Sequence, residues 1–312
     1  MQGNLGCDAR MHNPGVGPAA FGVLTDAVLS NWSCSVHEGF NTFPSSFLTV
    51  AIDRDQTTAL GVKTFPDESS GLPYIVAREA PVATPACVEG SQSLDIRDRA
   101  VVNARAISTT FSMGVESILN GNGDVAGNAT LRDRARVNGT LRVQGTVSRG
   151  SNVVIGTLVN PATVTVPALQ TKSFTVGTGT TNINGNTTLS PGNRGTVNIN
   201  SGTITLNPGT YNFAALTVNA GVTLNFSSSA ATVINVQGGL TMNQVRYNAS
   251  TPSLISWYSN GTIVINSTQT PAFPGSLLAP NGQVTIGARN TINGCVQGRT
   301  VSIDADSRIN GV

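Results

Sequence analysis

The chain has 312 residues, of which 39% are hydrophobic, 11% are charged and 5% are aromatic. Because apolar and β-branched residues are plentiful, the composition excludes an intrinsically disordered chain and favours a β fold. No apolar run approaches the roughly 20 residues that a transmembrane helix requires, so no transmembrane segment is predicted.

Residues 1–90 differ in pattern from the rest and predict an N-terminal α/β cap or module, to which the sequence assigns no role. Ala19–Asn31 is the helix candidate, because its apolar residues recur at helical spacing. Two short apolar runs follow, at Phe47–Ile52 and Tyr74–Ala77.

A Pro-containing stretch, residues 80–85, predicts the boundary between this module and a second domain over residues 91–312. The first six residues lack the basic and apolar regions of a secretory leader. Either the protein is cytosolic or its leader has been removed. The composition, with two lysines and many Thr, Asn, Gly and Ser residues, favours the second alternative and an extracellular or cell-surface location.

The four cysteines are Cys7, Cys34, Cys87 and Cys295. None of them forms a CxxC pair, which argues against a zinc site or a thioredoxin-like site. Three lie in the first 90 residues, which suits one or two disulfides in an exported protein, with Cys7–Cys34 as the candidate pair. Buried free thiols are the alternative.

From about residue 94 the sequence becomes repetitive. Ile96–Ala104 recurs as Leu131–Gly139, an offset of 35 residues. Further on, strand-like segments begin at 196, 203, 210, 216 and 222, and each alternates Val, Ile or Leu with Thr or Asn. Alternation at period two predicts strands with one buried face, and the Asn and Gly residues between them predict tight turns.

Two all-β architectures share this pattern, a β-sandwich and a parallel β-solenoid. Strands here start every six to eight residues, about three per ~20-residue coil, whereas sandwich strands recur every ~8–12 residues. Asn residues at strand ends also suit a solenoid, in which stacked amides form ladders. We therefore predict a parallel β-solenoid of about eleven coils and ~50 Å length.

Charge is distributed unevenly along the chain. Residues 134–303 contain no Asp or Glu but nine basic residues. Such a block can indicate a polyanion partner. The nine charges are spread over the segment without a cluster, which favours a solvated surface. No interleaved aromatic residues are present, so nucleic-acid binding is not predicted.

Catalysis is not predicted either. Polysaccharide lyases and glycosidases need paired carboxylates or acids that hold calcium beside a base. No histidine follows His37. The carboxylates beyond residue 100 are Glu116, Asp124, Asp133, Asp304 and Asp306.

Three of these carboxylates are candidate metal ligands, and no other cofactor is predicted. Asp304 and Asp306 are separated by one residue, so on a strand they would point the same way and could bind a cation, although a solvated edge is the favoured interpretation. Asp124 ends a segment that resembles the first half of a calcium loop. Position six of that loop is Val125 where glycine is required, so the segment predicts a turn, with bound calcium as the alternative.

Five segments within residues 196–303 share a characteristic pattern: Pro208–Phe213, Leu216–Val218, Ala231–Val236, Phe273–Asn281 and Ile292–Val296. In these segments the chain resembles bacterial exported β-solenoid families of the choice-of-anchor A, collagen-binding-like and ice-binding-like types. The resemblance implies a cell-surface or extracellular location and a binding or scaffolding role.

The predicted function is that of a non-enzymatic secreted bacterial surface or matrix protein, adhesive or filament-forming through its solenoid. Arg308–Val312 still has a strand-like pattern, which predicts a free edge there and end-to-end self-association. Ice binding is the alternative, because pairs such as Thr203/Thr205 and Thr217/Asn219 would suit a hydroxyl-rich face. A polysaccharide-active enzyme is the third hypothesis.

Overall fold

The computed structural model describes residues 86–227, 229–266 and 272–311 and the backbone of three earlier strands. Contacts divide the chain into two compact units, Met1–Pro85 and Ala86–Val312. The predicted helix and the Cys7–Cys34 pair lie outside the described residues. No helix among the described residues is long and apolar enough to cross a membrane.

The first unit contains a three-stranded sheet. Its strands are β1 (Val50–Asp53), β2 (Val62–Pro66) and β3 (Pro73–Arg78). The central strand is β3, which pairs in parallel with β1 and antiparallel with β2.

The second unit is a parallel β-solenoid of about eleven turns, which confirms the predicted fold class. Its helical content among the described residues is a 3-10 turn at Pro252–Leu254. Before residue 160 the strands are β4 (Val88–Ile96), β5 (Val101–Asn103), β6 (Ala106–Met113), β7 (Ile118–Leu119), β8 (Gly123–Val125), β9 (Ala129–Leu131), β10 (Arg136–Val143), β11 (Val147–Arg149) and β12 (Val154–Val159). After residue 179 they are β13 (Thr180–Asn184), β14 (Thr187–Leu189), β15 (Gly192–Ser201), β16 (Thr203–Leu206), β17 (Gly209–Val218), β18 (Thr223–Phe226), β19 (Thr232–Val236), β20 (Leu240–Met242), β21 (Arg246–Asn248), β22 (Ile255–Ser259), β23 (Ile263–Ile265), β24 (Phe273–Pro274), β25 (Ser276–Ile286), β26 (Thr291–Asn293), β27 (Val296–Ile303) and β28 (Arg308–Asn310).

Each coil has three faces, which we name by what they carry. In the coil of β4 and β5, residues 88–90 lie on the strap face, residues 93–96 on the hydroxyl face and residues 101–103 on the amide face. The strands predicted at 196, 203, 210, 216 and 222 correspond to parts of β15, β16, β17 and β18. The predicted alternation is also confirmed, because Val, Ile and Leu side chains point into the core.

The coils are not stacked in chain order. From β4 the chain coils away to β12, and residues 160–179, which we call the strap, then lead to β13 at the other end of the stack. From β13 the chain coils back until β27 pairs in parallel with β4 and β28 with β5. We call this junction of the two halves the seam.

The seam corrects the prediction of a free edge at Arg308–Val312. Strand β28 pairs with β26 on one side and with β5 on the other, so Arg308–Asn310 lies inside the stack. In the coils at the two ends of the stack, each strand pairs on one side only within the described residues. These strands are β11 and β12 at one end and β13 and β14 at the other. Inside the stack, β21 pairs only with β18 and β24 only with β26 among the described residues.

The 35-residue repeat corresponds to one corner of the solenoid. Arg99 and Arg134 occupy equivalent turns two coils apart, and Glu116 occupies the same turn in the coil between them. All three have a positive φ of 56–59°, a left-handed conformation that costs a non-glycine residue about 1–2 kcal/mol. The buried Ala100 and Ala135 that follow allow the chain to enter the core directly after the turn.

The strap runs along the strap face as an extended segment. It begins where the backbone N–H of Ala162 donates to the carbonyl of Val143, 2.9 Å away. Farther along, the N–H of Lys172 donates to the Tyr258 hydroxyl at 2.7 Å, and Phe174 packs edge-on against the Tyr258 ring. The strap ends where the N–H of Gly177 donates to the carbonyl of Arg194 at 3.0 Å.

Candidate binding face

The hydroxyl face presents one continuous row of small polar side chains along the whole stack. Each member is paired in register with the next, at the ~4.8 Å spacing of hydrogen-bonded strands, so ten steps span ~48 Å. Nine of the eleven side chains end in a hydroxyl or an amide; the exceptions are an aspartate and a valine. In stack order the row is Asn182, Asn198, Thr217, Thr241, Val264, Thr285, Ser302, Asp95, Ser112, Thr130 and Ser148.

A second row runs two residues earlier on the same strands and points the same way, as strand geometry requires. It contributes exposed or half-buried threonines at both ends and in the middle of the stack, including Thr180, Thr196, Thr300, Thr110 and Thr146. The face therefore offers pairs of hydroxyl or amide groups on one strand, repeated from coil to coil. Such groups both donate and accept hydrogen bonds without carrying charge.

Amide ladders fix the edges of this array. At the corner beyond the hydroxyl face, Asn219 donates to Asn200 at 2.9 Å and Asn266 donates to Asn243 at 2.6 Å. Within the face, Asn198 donates to Asn182 at 3.0 Å. Because each amide bonds to the coil above and the coil below, neighbouring coils are held in register.

A second ladder gives the amide face its name and crosses the seam. Asn120 donates to Asn103 at 2.7 Å, Asn103 donates to Asn310 at 2.9 Å, and Asn310 donates to Asn293 at 3.0 Å. The prediction that Asn residues at strand ends form ladders along the axis is confirmed here, including between coils from opposite halves of the chain.

The strap face differs from the hydroxyl face because several large side chains of its outward row are buried. Tyr258 is 1% exposed, Glu89 2% and Ile107 4%, although all three point away from the core. They occupy one register row between the two anchored ends of the strap. The strap therefore accounts for this row. On the hydroxyl face every member of the outward row except Ser302 is half-buried or exposed.

Glu89 has an unusual environment in the buried row. One of its carboxylate oxygens has no hydrogen-bond partner among the described residues. Burial raises the pKa of Glu89 to about 7, and the positive charge of Arg105 acts in the opposite direction. A buried carboxyl can hold a proton near neutral pH for this reason.

The candidate metal ligands Asp304 and Asp306 lie in a corner turn rather than on a strand, so the prediction that they share one strand face is wrong. Each contacts a different arginine across the seam. Asp304 lies 2.9 Å from Arg97, and Asp306 accepts two hydrogen bonds from Arg99 at 2.6 and 3.0 Å. The Arg99 guanidinium, as hydrogen-bond donor and as charge, lowers the pKa of Asp306.

Asp124 lies in strand β8 and not in the predicted turn. Its side chain is 9% exposed, and it accepts hydrogen bonds from Arg105 at 2.8–2.9 Å. Arg142 approaches the other carboxylate oxygen at 3.8 Å. Calcium binding at Asp124 or at the Asp304/Asp306 turn remains a prediction, and at both places the carboxylates already pair with arginine.

The other carboxylates of residues 86–311 have structural contacts of their own. Glu116 pairs with Arg134 at 2.8 Å, and Asp95 pairs with Arg97 at 3.1 Å. Asp98 and Asp133 each accept a backbone N–H of the neighbouring coil, from Val115 and Ser151 respectively. Carboxylates used in this way stabilise turns and the stacking of coils.

The seam also contains a disulfide that sequence reasoning did not propose. Cys87 at the start of the first coil is bonded to Cys295, 208 residues later. The sequence favours a disulfide among the first three cysteines, because they lie within 90 residues of one another. In the structure Cys87 lies beside Cys295 because the residues that follow them, Val88 and Val296, are paired partners in neighbouring strands.

Neither the family models nor the curated proteins that were compared match this chain. Among solved structures, the crystal structure of an ice binding protein from an Antarctic bacterium, Flavobacteriaceae, is similar at 16% identity. The match covers 73% of this chain and 80% of that one, with a TM-score of 0.29.

Proposed function

We propose that the protein is a non-enzymatic extracellular surface or matrix protein of bacterial origin whose solenoid acts as an adhesive scaffold. The observation that carries this proposal is the hydroxyl face, a register-locked array ~48 Å long in which nine of eleven side chains end in a hydroxyl or an amide. A ligand with its own regular hydroxyls or amides, such as an ordered polysaccharide, can meet many of these groups at once. Many weak contacts at fixed spacing add up to firm attachment.

Two features support this role. The carboxylates of the solenoid other than the buried Glu89 are occupied in ion pairs and turn hydrogen bonds, which favours structure over acid–base catalysis. The Cys87–Cys295 disulfide suits an oxidising compartment outside the cytosol. A hydroxyl-rich adhesive surface acts without steering by charge, so its attachment depends little on salt.

The test is co-sedimentation of the full chain with insoluble probes: microcrystalline cellulose, chitin and collagen fibrils. Thr217 and Thr285 are the third and sixth of the eleven members of the row, so Thr217→Lys/Thr285→Lys inserts two charges into the array. We expect this variant to bind at least tenfold more weakly than the parent. The control is Thr205→Lys/Thr291→Lys, which places the same charges on strands of the amide face. Absence of binding to all three probes, or equal loss in both variants, contradicts the proposal.

Ice binding is the second candidate function, and the repeated hydroxyl pairs of the hydroxyl face favour it. Thr203/Thr205 and Thr217, which had suggested it in the sequence, lie on different faces: strand β16 belongs to the amide face, and Thr217 belongs to the hydroxyl face. The pairs that could contact ice are those on the hydroxyl face, such as Thr196 and Asn198. Thermal hysteresis and ice recrystallisation inhibition that disappear in Thr217→Lys/Thr285→Lys, but persist in the control, support ice binding. Unchanged ice growth with the parent protein excludes it.

Self-association is the further part of the proposed scaffold role. It would use the ends of the stack and leave the hydroxyl face free. A scaffold that repeats in this way would multiply the number of faces presented to a surface, which increases avidity without any change in the face itself.

A further inference from the structure

The two ends of the solenoid have open strand edges within the described residues. Strand β12 pairs with β10, and β13 pairs with β15, and no strand of the described part of the chain pairs with their outer sides. At each end a row of backbone N–H and C=O groups therefore faces outward. Unpaired edges of this kind are templates for pairing with another chain.

These edges carry little of the usual protection against pairing. Natural proteins place charges, especially lysine, on exposed edge strands. Residues 147–193, which contain β11 to β14, carry two charged side chains. Arg149 is the last residue of β11 and is exposed, and Lys172 lies in the strap, so β12, β13 and β14 carry no charge. On the edge strand itself Val154 is 47% exposed and Val159 is 40% exposed.

The core is also left open at both ends. Ile155 and Leu158 at one end and Ile183 and Leu189 at the other pack on the core but remain only partly buried. Equivalent inward positions inside the stack, such as Val137, are fully buried. A further coil stacked on either end would bury these side chains as an internal coil does.

The seam shows that this chain joins solenoid ends in that manner. Two coils separated by about 200 residues in sequence meet there through parallel pairing of β27 with β4 and β28 with β5. The core continues through the joint, and Val88, Val296 and Ile309 are fully buried. A joint between two chains would share the parallel pairing and the continuous core of the seam. It would lack the Cys87–Cys295 disulfide, the ion pairs of Asp304 and Asp306 and a connection through the same polypeptide.

We infer that a second copy of this chain docks head to tail on the solenoid, with the β11/β12 coil of one molecule stacked in parallel against the β13/β14 coil of the next. In this arrangement β11 meets β13 on the hydroxyl face and β12 meets β14 on the amide face. The contact is heterologous and leaves a free end on each partner, so it propagates into a filament. The hydroxyl faces of successive molecules would then lie in one line. The inference extends the scaffold role of the proposed function but does not depend on what the hydroxyl face binds.

The test uses variants that block one end each. Leu158→Lys places an ammonium group at the β12 end and Ile183→Lys places one at the β13 end. Both side chains are partly exposed in the single molecule, where lysine can reach water, but they would be buried in the joint. Because an unpaired buried charge is costly, we expect each variant to associate at least ~100-fold more weakly than the parent in sedimentation velocity.

Mixing the two variants distinguishes head-to-tail docking from other arrangements. Each variant retains the end that its partner needs, so an equimolar mixture is expected to form dimers and no longer species. The parent protein is expected to form fibres in negative-stain images. Thr291→Lys, which places the same charge on the amide face away from both ends, is the control and should keep association within a few-fold of the parent.

Several results would overturn the inference. One is a parent protein that stays monomeric at the highest concentration reached, as it would if another part of its own chain covered an end. A second is a single blocked variant that still dimerises, which would indicate an end-to-same-end contact. If either lysine variant does not fold by circular dichroism, Val147→Lys and Leu189→Lys replace them. Binding of monomeric variants to the insoluble probes tests the hydroxyl face separately.

Discussion

Cys87 and Cys295 are 208 residues apart in the chain, yet their disulfide joins adjacent strands across the seam. The seam is the junction at which two separately wound halves of the solenoid meet. Its other contacts are those of any pair of neighbouring coils, including parallel pairing and the ion pairs of Asp304 and Asp306 with Arg97 and Arg99. The disulfide is the covalent link that keeps the halves together when those contacts open.

Replacement of the disulfide is therefore expected to weaken the seam first. Cys87→Ser/Cys295→Ser should lower the free energy of unfolding by about 2–5 kcal/mol, because a very long loop in the unfolded chain is no longer closed. Hydrogen exchange should accelerate at the seam amides of Arg97 and Val101, which donate to Ile303 and Ser307. Amides far from the seam are the control, and their exchange rates should change less. An unaltered unfolding midpoint contradicts the prediction.

The buried carboxyl of Glu89 predicts a pH-dependent stability. Its pKa is raised to about 7 in the folded protein from 4.5, chiefly by burial. Between these values the folded protein holds a proton that the unfolded chain has released, so stability falls as pH rises and levels off above about 7. The decline that this group causes is up to about 3 kcal/mol. Thermal melting at pH 5 and pH 8 measures it.

Glu89→Gln should remove most of that decline. The variant and the parent should have similar stability near pH 5, and the variant should be the more stable of the two near pH 8. Arg105, which also pairs with Asp124, is the charged group that opposes burial at Glu89. The control is Glu116→Gln at an exposed corner, which should leave the slope of stability against pH unchanged. A Glu89→Gln variant with the parent's slope would show that Glu89 is not the group that titrates.

The strap should depend on Tyr258. The Tyr258 hydroxyl accepts the N–H of Lys172 and donates to Asn260 at 2.5 Å. Tyr258→Phe keeps the packing with Phe174 but leaves the Lys172 N–H without this acceptor, at a cost of about 1–3 kcal/mol to the docked strap. Trypsin can cut after Lys172, the one basic residue between 150 and 193. We expect cleavage there to be faster in Tyr258→Phe, with Thr205→Ser on the amide face as control. Equal cleavage rates would mean that this hydrogen bond does not hold the strap.

The local part of the fold was predictable from the sequence, because the pattern of a strand is local. Alternation over four or five residues placed the strands between 196 and 226 correctly. The order of the coils was not predictable, because the seam pairs residues about 200 positions apart and no local pattern encodes such a pairing. The sequence contains one indication of this pairing, in its charges. Asp304 and Asp306 have the same spacing as Arg97 and Arg99 and the opposite charge.

The candidate face was harder to predict than the strands, because the coils differ in length. Neighbouring members of the amide ladders are 16 residues apart at Asn182 and Asn198 but 24 apart at Asn219 and Asn243. A single repeat length applied to the whole sequence therefore assigns some threonines to the wrong face. For this reason Thr203/Thr205 and Thr217 were grouped in sequence although they lie on different faces.

Two buried tyrosines provide a matched test of hydrogen bonding in the core. Tyr247 is 1% exposed, and its hydroxyl has no hydrogen-bond partner among the described residues. Tyr211 is fully buried, and its hydroxyl lies 2.8 Å from the carbonyl of Leu189 and 2.7 Å from that of Asn207. The two rings are comparable in burial and differ in whether the polar group is satisfied.

Removing the two hydroxyls should therefore have opposite effects. Tyr247→Phe removes an unsatisfied buried group and should raise the free energy of unfolding by about 1 kcal/mol. Tyr211→Phe removes the one hydroxyl proton that the carbonyls of Leu189 and Asn207 share and should lower it by about 1–2 kcal/mol. Chemical denaturation of both variants against the parent measures the difference. If Tyr247→Phe destabilises the protein as much as Tyr211→Phe does, the Tyr247 hydroxyl has a partner, such as a buried water, that satisfies it in the folded state.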